Sequence, residues 1–263
     1  MKLAMLRSYS IILRGLVLRE VASRYQGTFG GRWWYLLNNL AMLALYTTVF
    51  GLGLGVRWPG SAGGIGDVAL QIFTGLIIFN LAAEPLTRAP GVIRAHPNFV
   101  TKVIFPLELL PLVSVGIALY NAGMAFIVLL LAMPVLGQEW HWTVLLAPLL
   151  PLVMLPWLLG TCWILAALGV YLRDIGQVIP LLTTAILFCS PIFFPRESLP
   201  EAMRAWLDLN PLSVLVDAAR HLVLAGVLPP AGPLLLQTVL GLFLAVAGFY
   251  WFRLSRQGFA DVL

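Results

Sequence analysis

Residues 109–138 read LLPLVSVGIALYNAGMAFIVLLLAMPVLGQ, and none of these 30 residues carries a formal charge. An α-helix needs ~20 apolar residues to cross a hydrocarbon layer of roughly 30 Å, so this run is long enough to span a bilayer. Lipid offers the backbone no hydrogen-bond partner, and only helices or closed barrels satisfy every amide within it. The run lacks the alternation of apolar and polar residues that is typical of a barrel strand. It therefore predicts a transmembrane helix.

Five further stretches of the chain also lack Lys, Arg, Asp and Glu. They are residues 33–56, 68–83, 142–172, 175–195 and 221–252. Composition agrees, because hydrophobic residues make up 60% of the chain and charged residues 10%, against roughly a quarter charged in soluble domains. We therefore predict an all-α polytopic membrane protein. Its six expected transmembrane helices are residues 33–55, 68–86, 107–136, 144–171, 178–194 and 234–252.

Basic residues divide unevenly between the two sides of this layout. Twelve of the 16 Lys and Arg residues precede span one, follow spans two or four, or lie in the tail, and four lie in the opposite loops. The positive-inside rule then places both termini in the cytoplasm. The net charge of +5 is interpreted as topology and attraction to anionic lipid headgroups, not as affinity for nucleic acid.

Three segments lie outside the predicted spans. Residues 1–32 mix basic and apolar side chains, which favours an interfacial helix along the cytoplasmic leaflet. Residues 87–106 form a cytoplasmic loop whose prolines bound a short helix. Residues 196–232 are too polar to cross the membrane and too apolar to stay in water. They are expected to form a re-entrant helical segment in the outer leaflet, which is tolerable where protein covers the backbone.

The chain contains no motif for an energy source or for a catalytic centre. It lacks G-x-x-x-x-G-K-[ST], H-E-x-x-H and G-x-S-x-G, and its histidines and cysteines show no metal-ligand spacing. Cys162 and Cys189 are interpreted as small buried hydrophobic residues. Only Glu84 and Glu108 approach the bilayer, which disfavours a proton-coupled transporter. We therefore predict a transport subunit without metal or cofactor, driven by a partner protein.

Seven segments of the chain resemble the ABC-2-type permeases that export lipid-linked polysaccharides, namely capsule, O-antigen and teichoic-acid exporters. They are residues 18–27 (LREVASRYQG), 31–38 (GRWWYLLN), 46–50 (YTTVF), 97–108 (PNFVTKVIFPLE), 173–174 (RD), 190–194 (SPIFF) and 210–211 (NP). The order and spacing of these segments carry the resemblance, which covers almost the whole chain. One departure is Asn39, at a place where such permeases often have a proline.

The resemblance implies a homodimer in the bacterial inner membrane, bound to two ATP-binding cassette subunits on separate chains that hold the ATP and Mg²⁺. It implies a lipid-linked polysaccharide as substrate, and leaves open whether periplasmic and outer-membrane export proteins continue the path. It also implies a coupling helix in residues 91–102 that docks into the ATPase. The residues expected at that contact are Arg94, His96, Asn98, Lys102, Arg173 and Asp174.

A hydrophilic polymer that crosses lipid needs a channel wall that holds sugars weakly. Aromatic rings suit this role, because the apolar faces of pyranoses stack on them without a fixed hydrogen-bond pattern, and weak binding at many sites favours passage. The candidates on spans one and five are Trp34, Tyr35, Tyr46, Phe50, Phe188, Phe193 and Phe194. Packing, or anchoring at the membrane interface, is the alternative role for each ring.

The lipid end of such a substrate carries phosphate. Arg24 and Arg32, near the expected inner entrance, are candidates to receive it through charge-assisted hydrogen bonds. Anchoring of the N-terminal helix to anionic lipids accounts equally well for both residues.

Two other functions remain open beside the exporter permease, which we favour. A related ABC-2 permease would move drugs or small lipids, but the aromatic face of span one and the long basic lead-in disfavour it. A membrane enzyme acting on lipid-linked sugars would need carboxylates or histidines that converge at one interface. The acidic residues of the outer side are instead spread over several loops.

Overall fold

The computed structural model describes residues 2–23, 33–53, 58, 64–101 and 105–262. Every regular element within these ranges is helical, which confirms the all-α prediction. The first half contains α1 (Lys2–Ser23), α2 (Trp33–Tyr46) with a π-helical continuation (Thr47–Gly53), α3 (Ile65–Val92), α4 (Pro97–Thr101) and α5 (Leu109–Val135). The second half contains a 3-10 helix (Trp142–Leu149) leading into α6 (Leu150–Tyr171), α7 (Ile175–Cys189), α8 (Glu201–Leu209), α9 (Pro211–Arg220) with a π-helical continuation (His221–Ala225), α10 (Ala231–Ser255) and α11 (Phe259–Val262).

Four helical segments in the described ranges are long and apolar enough to cross a membrane. They are Gly66–Val92, Leu109–Val135, Trp142–Tyr171 and Ala231–Gly258. Two shorter apolar helices accompany them, Leu36–Phe50 and Ile175–Cys189. This set makes the chain a multi-pass membrane protein.

Helix α3 lies at the centre of the bundle. Its most apolar stretch is 78% buried, against 17% for that of α10, so α10 forms part of the outer surface and α3 the core. Helix α3 contacts α2, α5, α6, α7 and α9. Its residues Leu70 and Ile72 are completely buried among them. Helix α1 lies against α5, where Val17 packs closely on Gly116.

Helix α3 continues to Val92, six residues beyond the predicted end of span two at residue 86. Pro85 and Pro90 lie inside it, although a proline costs an isolated helix ~3 kcal/mol. Tertiary packing explains the difference, because Ala89 is completely buried and the backbone of Pro90 packs directly on Gly169. A Cβ atom on Gly169 would lie 2.1 Å from the Pro90 carbonyl oxygen.

Helix α7 ends at Cys189, five residues before the predicted end of span five at residue 194. Residues 190–195 instead form an irregular turn. The Ser190 hydroxyl donates to the Ile186 carbonyl oxygen at 2.8 Å, and the Ile192 amide donates to the Ser190 carbonyl oxygen at 2.7 Å. Pro191 has no N–H to continue the helical ladder, which accounts for the break. Cys162 is buried as predicted, whereas Cys189 at the helix end is exposed.

Glycines bring α6 and α10 into close contact. A Cβ atom on Gly248 would lie 2.3 Å from the Gly160 carbonyl oxygen, and one on Gly160 would lie 2.5 Å from the Leu244 carbonyl oxygen. Small residues at a helix crossing let backbones approach, and packing contacts of this kind drive association within lipid. Trp157 of α6 adds a bond, since its indole N–H donates to the Gln237 carbonyl oxygen at 2.8 Å.

Gly248→Ala is expected to lower the free energy of unfolding by ~1–3 kcal/mol, because the added methyl group overpacks the crossing. Thermal unfolding of the purified protein in detergent measures the effect. Gly232→Ala is the matched control on α10, where an added Cβ atom meets nothing within 4 Å. Equal melting temperatures for the two variants would contradict the packing described here.

Candidate functional site

Four of the predicted channel aromatics form one cluster. The rings of Phe50 and Phe193 stack at a centroid distance of 5.5 Å and an interplanar angle of 14°. Tyr46 lies 6.4 Å from Phe50 and 6.5 Å from Phe193. Phe188 lies 6.1 Å from Phe193. The cluster joins span one to the end of α7, two regions that are almost 140 residues apart in the chain.

Local structure positions each ring of this aromatic cluster. Tyr46 ends α2 and Phe50 lies in its π-helical continuation, so both project from one helix face. Phe193 comes from the irregular turn after α7, and Phe188 from the last turn of α7 itself. Tyr46, Phe50 and Phe193 are half-buried, whereas Phe188 is 65% exposed. One side of the aromatic cluster therefore packs against the core, and the other side, at Phe188, is exposed.

The other predicted channel residues lie apart from this cluster or outside the described ranges. Phe194 is half-buried, and no ring contact is recorded for it within the described chain. Trp34 is 56% exposed near the start of α2. The backbone of Tyr35 belongs to α2, but its side chain falls outside the description. Arg24 and Arg32, the predicted phosphate contacts, also lie outside the described residues.

The segment predicted to couple to an ATPase packs on the end of α6. A guanidinium N–H of Arg94 donates to the Val170 carbonyl oxygen at 2.8 Å. This bond satisfies a carbonyl in the last turn of α6 and places a cation at the negative end of that helix. Arg173 and Asp174, three and four residues after Val170, are exposed. Arg94, Arg173 and Asp174 therefore all lie near the C-terminal end of α6.

Short helix α4 presents polar side chains outward and an aromatic side inward. His96 and Asn98 are exposed, and Lys102 lies outside the described residues. The His96 ring stacks on Phe99 at 5.6 Å, and Phe99 stacks on Phe105 at 4.6 Å. Phe99 and Phe105 pack on a small buried cluster that includes Phe252 and Phe259.

The sequence alone did not predict that residues near the C-terminal end of the chain pack against this buried cluster. Phe259 of α11 is completely buried and meets Phe252 edge-on at 5.6 Å. The Tyr171 hydroxyl donates to the Ser255 carbonyl oxygen at 2.6 Å, and Arg256 pairs with Glu108 at 2.9 Å. Aromatic residues in a basic tail were the available signal, but only the folded chain identifies their partners.

The second missed residue is Arg220, at the end of α9. It is 7% exposed, and its guanidinium donates to three backbone carbonyl oxygens. The acceptors are Gln71 at 3.2 Å, Pro191 at 2.6 Å and Ile192 at 3.0 Å. The guanidinium carbon also lies 4.6 Å from the centre of the Trp58 ring. Arg220 thus ties the segment between α7 and α10 to the central helix and to the turn that carries Phe193.

Charged side chains around Arg220 pair in the segment between α7 and α10, and the pairs become more exposed with distance from Arg220. Asp217 lies 3.9 Å from Arg220 and 3.4 Å from Arg196, which also pairs with Asp208. Burial lowers the pKa of the Arg220 guanidinium to about 10, against the opposing effect of Asp217 and Glu197. Burial likewise raises the pKa of the Asp217 carboxyl, and both arginines oppose that shift. The arginine stays charged at neutral pH. Asp217 and the backbone carbonyl oxygens stabilise its buried charge.

Two segments quoted for the family resemblance also meet here. The side-chain N–H of Asn210 donates to the Ser190 hydroxyl at 3.0 Å. The side-chain oxygen of Asn210 accepts from the Leu212 backbone N–H at 3.0 Å. Asn210 therefore caps the start of α9 while it holds the end of α7. Ser190 is completely buried, so this contact fixes where the irregular turn begins.

Arg220→Ala is expected to destabilise the protein by ~3 kcal/mol or more, because it leaves buried carbonyl groups and Asp217 without their partner. Arg220→Lys should give an intermediate loss, since one ammonium group does not reproduce the planar fork. Melting temperature in detergent is the readout. Arg204→Ala is the control, since Arg204 donates to the Leu199 and Glu197 carbonyl oxygens from a less buried position. An equal loss in the Arg204 variant would contradict the assignment.

Comparisons with known proteins place the chain among membrane transport proteins. The chain is 28% identical over 258 residues to the O-antigen export system permease protein RfbA of Myxococcus xanthus, covering 97% of this chain and 96% of that protein. It is 23% identical over 249 residues to the protein of the same name in Klebsiella pneumoniae, covering 93% and 92%. It is 25% identical over 226 residues to the polysialic acid transport protein KpsM of Escherichia coli, covering 82% of each. The family described as ABC-2 type transporter matches residues 13–224, and the chain belongs to that family.

Proposed function

We propose that this chain is the permease subunit of an ATP-driven exporter that moves a lipid-linked polysaccharide out of the cytoplasm. The observation that carries the proposal is the aromatic cluster of Tyr46, Phe50, Phe188 and Phe193. The sequence relatives from Myxococcus xanthus, Klebsiella pneumoniae and Escherichia coli support the proposal, because they are named for O-antigen export or polysialic acid transport. The transport path through the membrane is built by this chain, and hydrolysis of ATP with Mg²⁺ takes place on a separate subunit.

The chemistry of the aromatic cluster fits a sugar polymer. Ring faces offer apolar contact to the C–H faces of pyranoses without a fixed set of hydrogen bonds. A chain that passes through must bind each point weakly and leave it again. The open side of the cluster, marked by the exposed Phe188, supplies such a surface.

A second copy of the chain completes the path. Helices α2 and α7 are the short apolar helices, and both expose large hydrophobic side chains. Those of α2 are Trp33, Trp34, Leu37, Leu40, Met42 and Leu45, and those of α7 are Val178, Leu181, Leu182 and Phe188. Together with the four long helices they make six spans. We place the two copies so that these faces, and the aromatic cluster between them, line the channel.

The coupling end faces the cytoplasm. The excess of Lys and Arg on that side supports this orientation and places both termini within the cell, at the inner membrane. The outward polar side of α4 docks on the ATPase subunit, and its aromatic inner side passes the motion to α6 and α10 through Phe99 and Phe105.

Phe50→Leu combined with Phe193→Leu is expected to reduce polysaccharide export about five- to tenfold, since leucine keeps apolar volume but removes the stacking rings. Surface polysaccharide per cell is the measurement, alongside the amount of protein in the membrane.

Phe249→Leu is the matched control for the double variant. Phe249 meets Trp163 edge-on at 5.0 Å between α10 and α6, away from the aromatic cluster. Export should stay near the original level in this control. Equal loss in both variants, or full export in the double variant, would remove the stacking role.

His96→Ala combined with Asn98→Ala is expected to weaken co-purification with the ATPase subunit about tenfold. Both side chains are exposed, but the double variant loses the stacking of His96 on Phe99. The melting temperature of the permease is therefore measured alongside, and only a small decrease is expected. Glu139→Ala, an exposed residue beyond the other end of α5, is the control. If the double variant retains the ATPase subunit as well as the control does, the coupling surface lies elsewhere.

A further inference from the structure

A cavity with both polar and apolar lining residues opens at the end of the bundle opposite α4. Its volume is about 570 Å³, within the roughly 300–1,000 Å³ typical of small-molecule sites. The wall includes Trp58, Gln71, Glu197, Asp208 and His221. Gln71 lies in the second turn of α3, and Val92 at the far end of that helix is ~30 Å away.

Carboxylates outnumber guanidinium groups around this outer cavity, since Asp67, Glu197, Asp208 and Asp217 line it together with Arg196 and Arg220. The Asp67 carboxylate accepts hydrogen bonds from the Gln138 amide and from the Gly64 backbone N–H. Arg196 pairs with both Asp208 and Asp217. Each ionised carboxylate still has lone pairs to offer after such bonds. The wall therefore presents many hydrogen-bond acceptors and some donors, and its carboxylates exceed its guanidinium groups by two.

One buried polar atom of the wall has no partner within the described chain. The side-chain oxygen of Gln71 is inaccessible to solvent and accepts no hydrogen bond from the described residues. Gln71 as a whole is half-buried and lines the cavity, so a ligand gains this acceptor when the side chain turns toward the cavity. The backbone carbonyl of the same residue is one of the acceptors of Arg220.

The outer cavity and the aromatic cluster share one support. Arg220 lies in the cavity wall and donates to the carbonyl oxygens of Pro191 and Ile192. The next residue, Phe193, stacks on Phe50 in the aromatic cluster. A ligand in the cavity therefore lies next to the turn that positions the ring of Phe193.

We propose that the outer cavity is a saccharide-binding site, which holds one or a few sugar units of the exported polymer after they pass the aromatic cluster. The site rests on the proposed function for the identity of the polymer. A sugar hydroxyl both donates and accepts, which matches a wall of paired carboxylates, amides and guanidinium groups. A metal ion fits less well, because the described residues contain no group of three His, Cys, Asp or Glu side chains placed to hold one.

This site gives the polymer a second kind of contact on its way out. The aromatic cluster holds sugars by their apolar faces, and the outer cavity holds them by their hydroxyl groups. Weak binding at successive positions favours onward movement over retention. Occupation of the cavity also biases the Arg220 network, and through it the turn that carries Phe193.

Gln71→Leu tests the site. The probe is a set of short oligosaccharides made by partial hydrolysis of the surface polysaccharide of cells that express this chain. Binding to the full chain in its ATPase complex, held in lipid nanodiscs, is measured by saturation-transfer NMR. Loss of one acceptor should weaken binding roughly 3- to 10-fold. Glu197→Gln, which changes an exposed carboxylate of the wall, should also weaken it.

Thr74→Val is the matched control. Thr74 lies one turn further along α3, and its buried hydroxyl oxygen also lacks a partner in the described residues, but it lines a separate apolar crevice. This variant should bind the oligosaccharides as the original protein does. Melting temperatures of the Gln71 and Thr74 variants should equal or exceed the original, since each removes an unsatisfied polar atom.

The outcomes separate this site from the proposed function. Unchanged binding in both Gln71→Leu and Glu197→Gln, equal loss in Thr74→Val, or no binding to the original protein, would overturn the site. Deleting the gene tests the function independently. Loss of surface polysaccharide on deletion upholds the exporter even where the site fails, and full surface polysaccharide after deletion overturns both.

Discussion

The guanidinium of Arg220 holds together three parts of the chain that have no covalent reason to meet. It donates to Gln71 in the central helix and to Pro191 and Ile192 in the turn after α7, while it belongs to α9. Gln71 lies within α3, whereas Pro191 and Ile192 follow the end of α7, so their carbonyl groups lie outside the helical hydrogen-bond ladder. In an apolar interior such groups need a donor from elsewhere. One planar side chain with five N–H groups supplies it for several at once.

Helix α3 organises the rest of the molecule around that junction. Its first turns carry Asp67 and Gln71 at the outer cavity, and its last turn places Pro90 against Gly169 at the coupling end. Between these ends it packs on α2 with its π-helical continuation, and on α7, the elements that carry the aromatic cluster. Helix α3 therefore connects the segment predicted to couple to an ATPase with the elements that carry the cluster. Protein packing holds the helix together where Pro85 and Pro90 remove hydrogen bonds.

Periodicity and charge predicted much of the layout because they act locally. The uncharged runs located the apolar helices, and the proline-bounded segment 91–102 contains a short helix, Pro97–Thr101. The observed ends of helices differed from the predicted ends where contacts with neighbouring helices determine them. Residues 87–106 were predicted to form a loop, but contact with α6 keeps α3 helical to Val92. Both Phe193 and Phe194 were expected to line the channel. Of the two, only Phe193 contacts another ring within the described chain, because an irregular turn does not follow helical spacing.

The amino-acid sequence by itself determined that the chain is helical and embedded in lipid, because backbone hydrogen bonding and transfer free energy depend on each run of residues alone. It also determined which aromatic residues were available to line a path. Only tertiary structure decided which of those rings touch, that Arg220 is buried rather than facing water, and that Gln71 and Asp208 border one cavity. These depend on contacts between residues up to 150 positions apart. Such contacts are fixed by the packing of whole helices and leave no periodic signal in the chain.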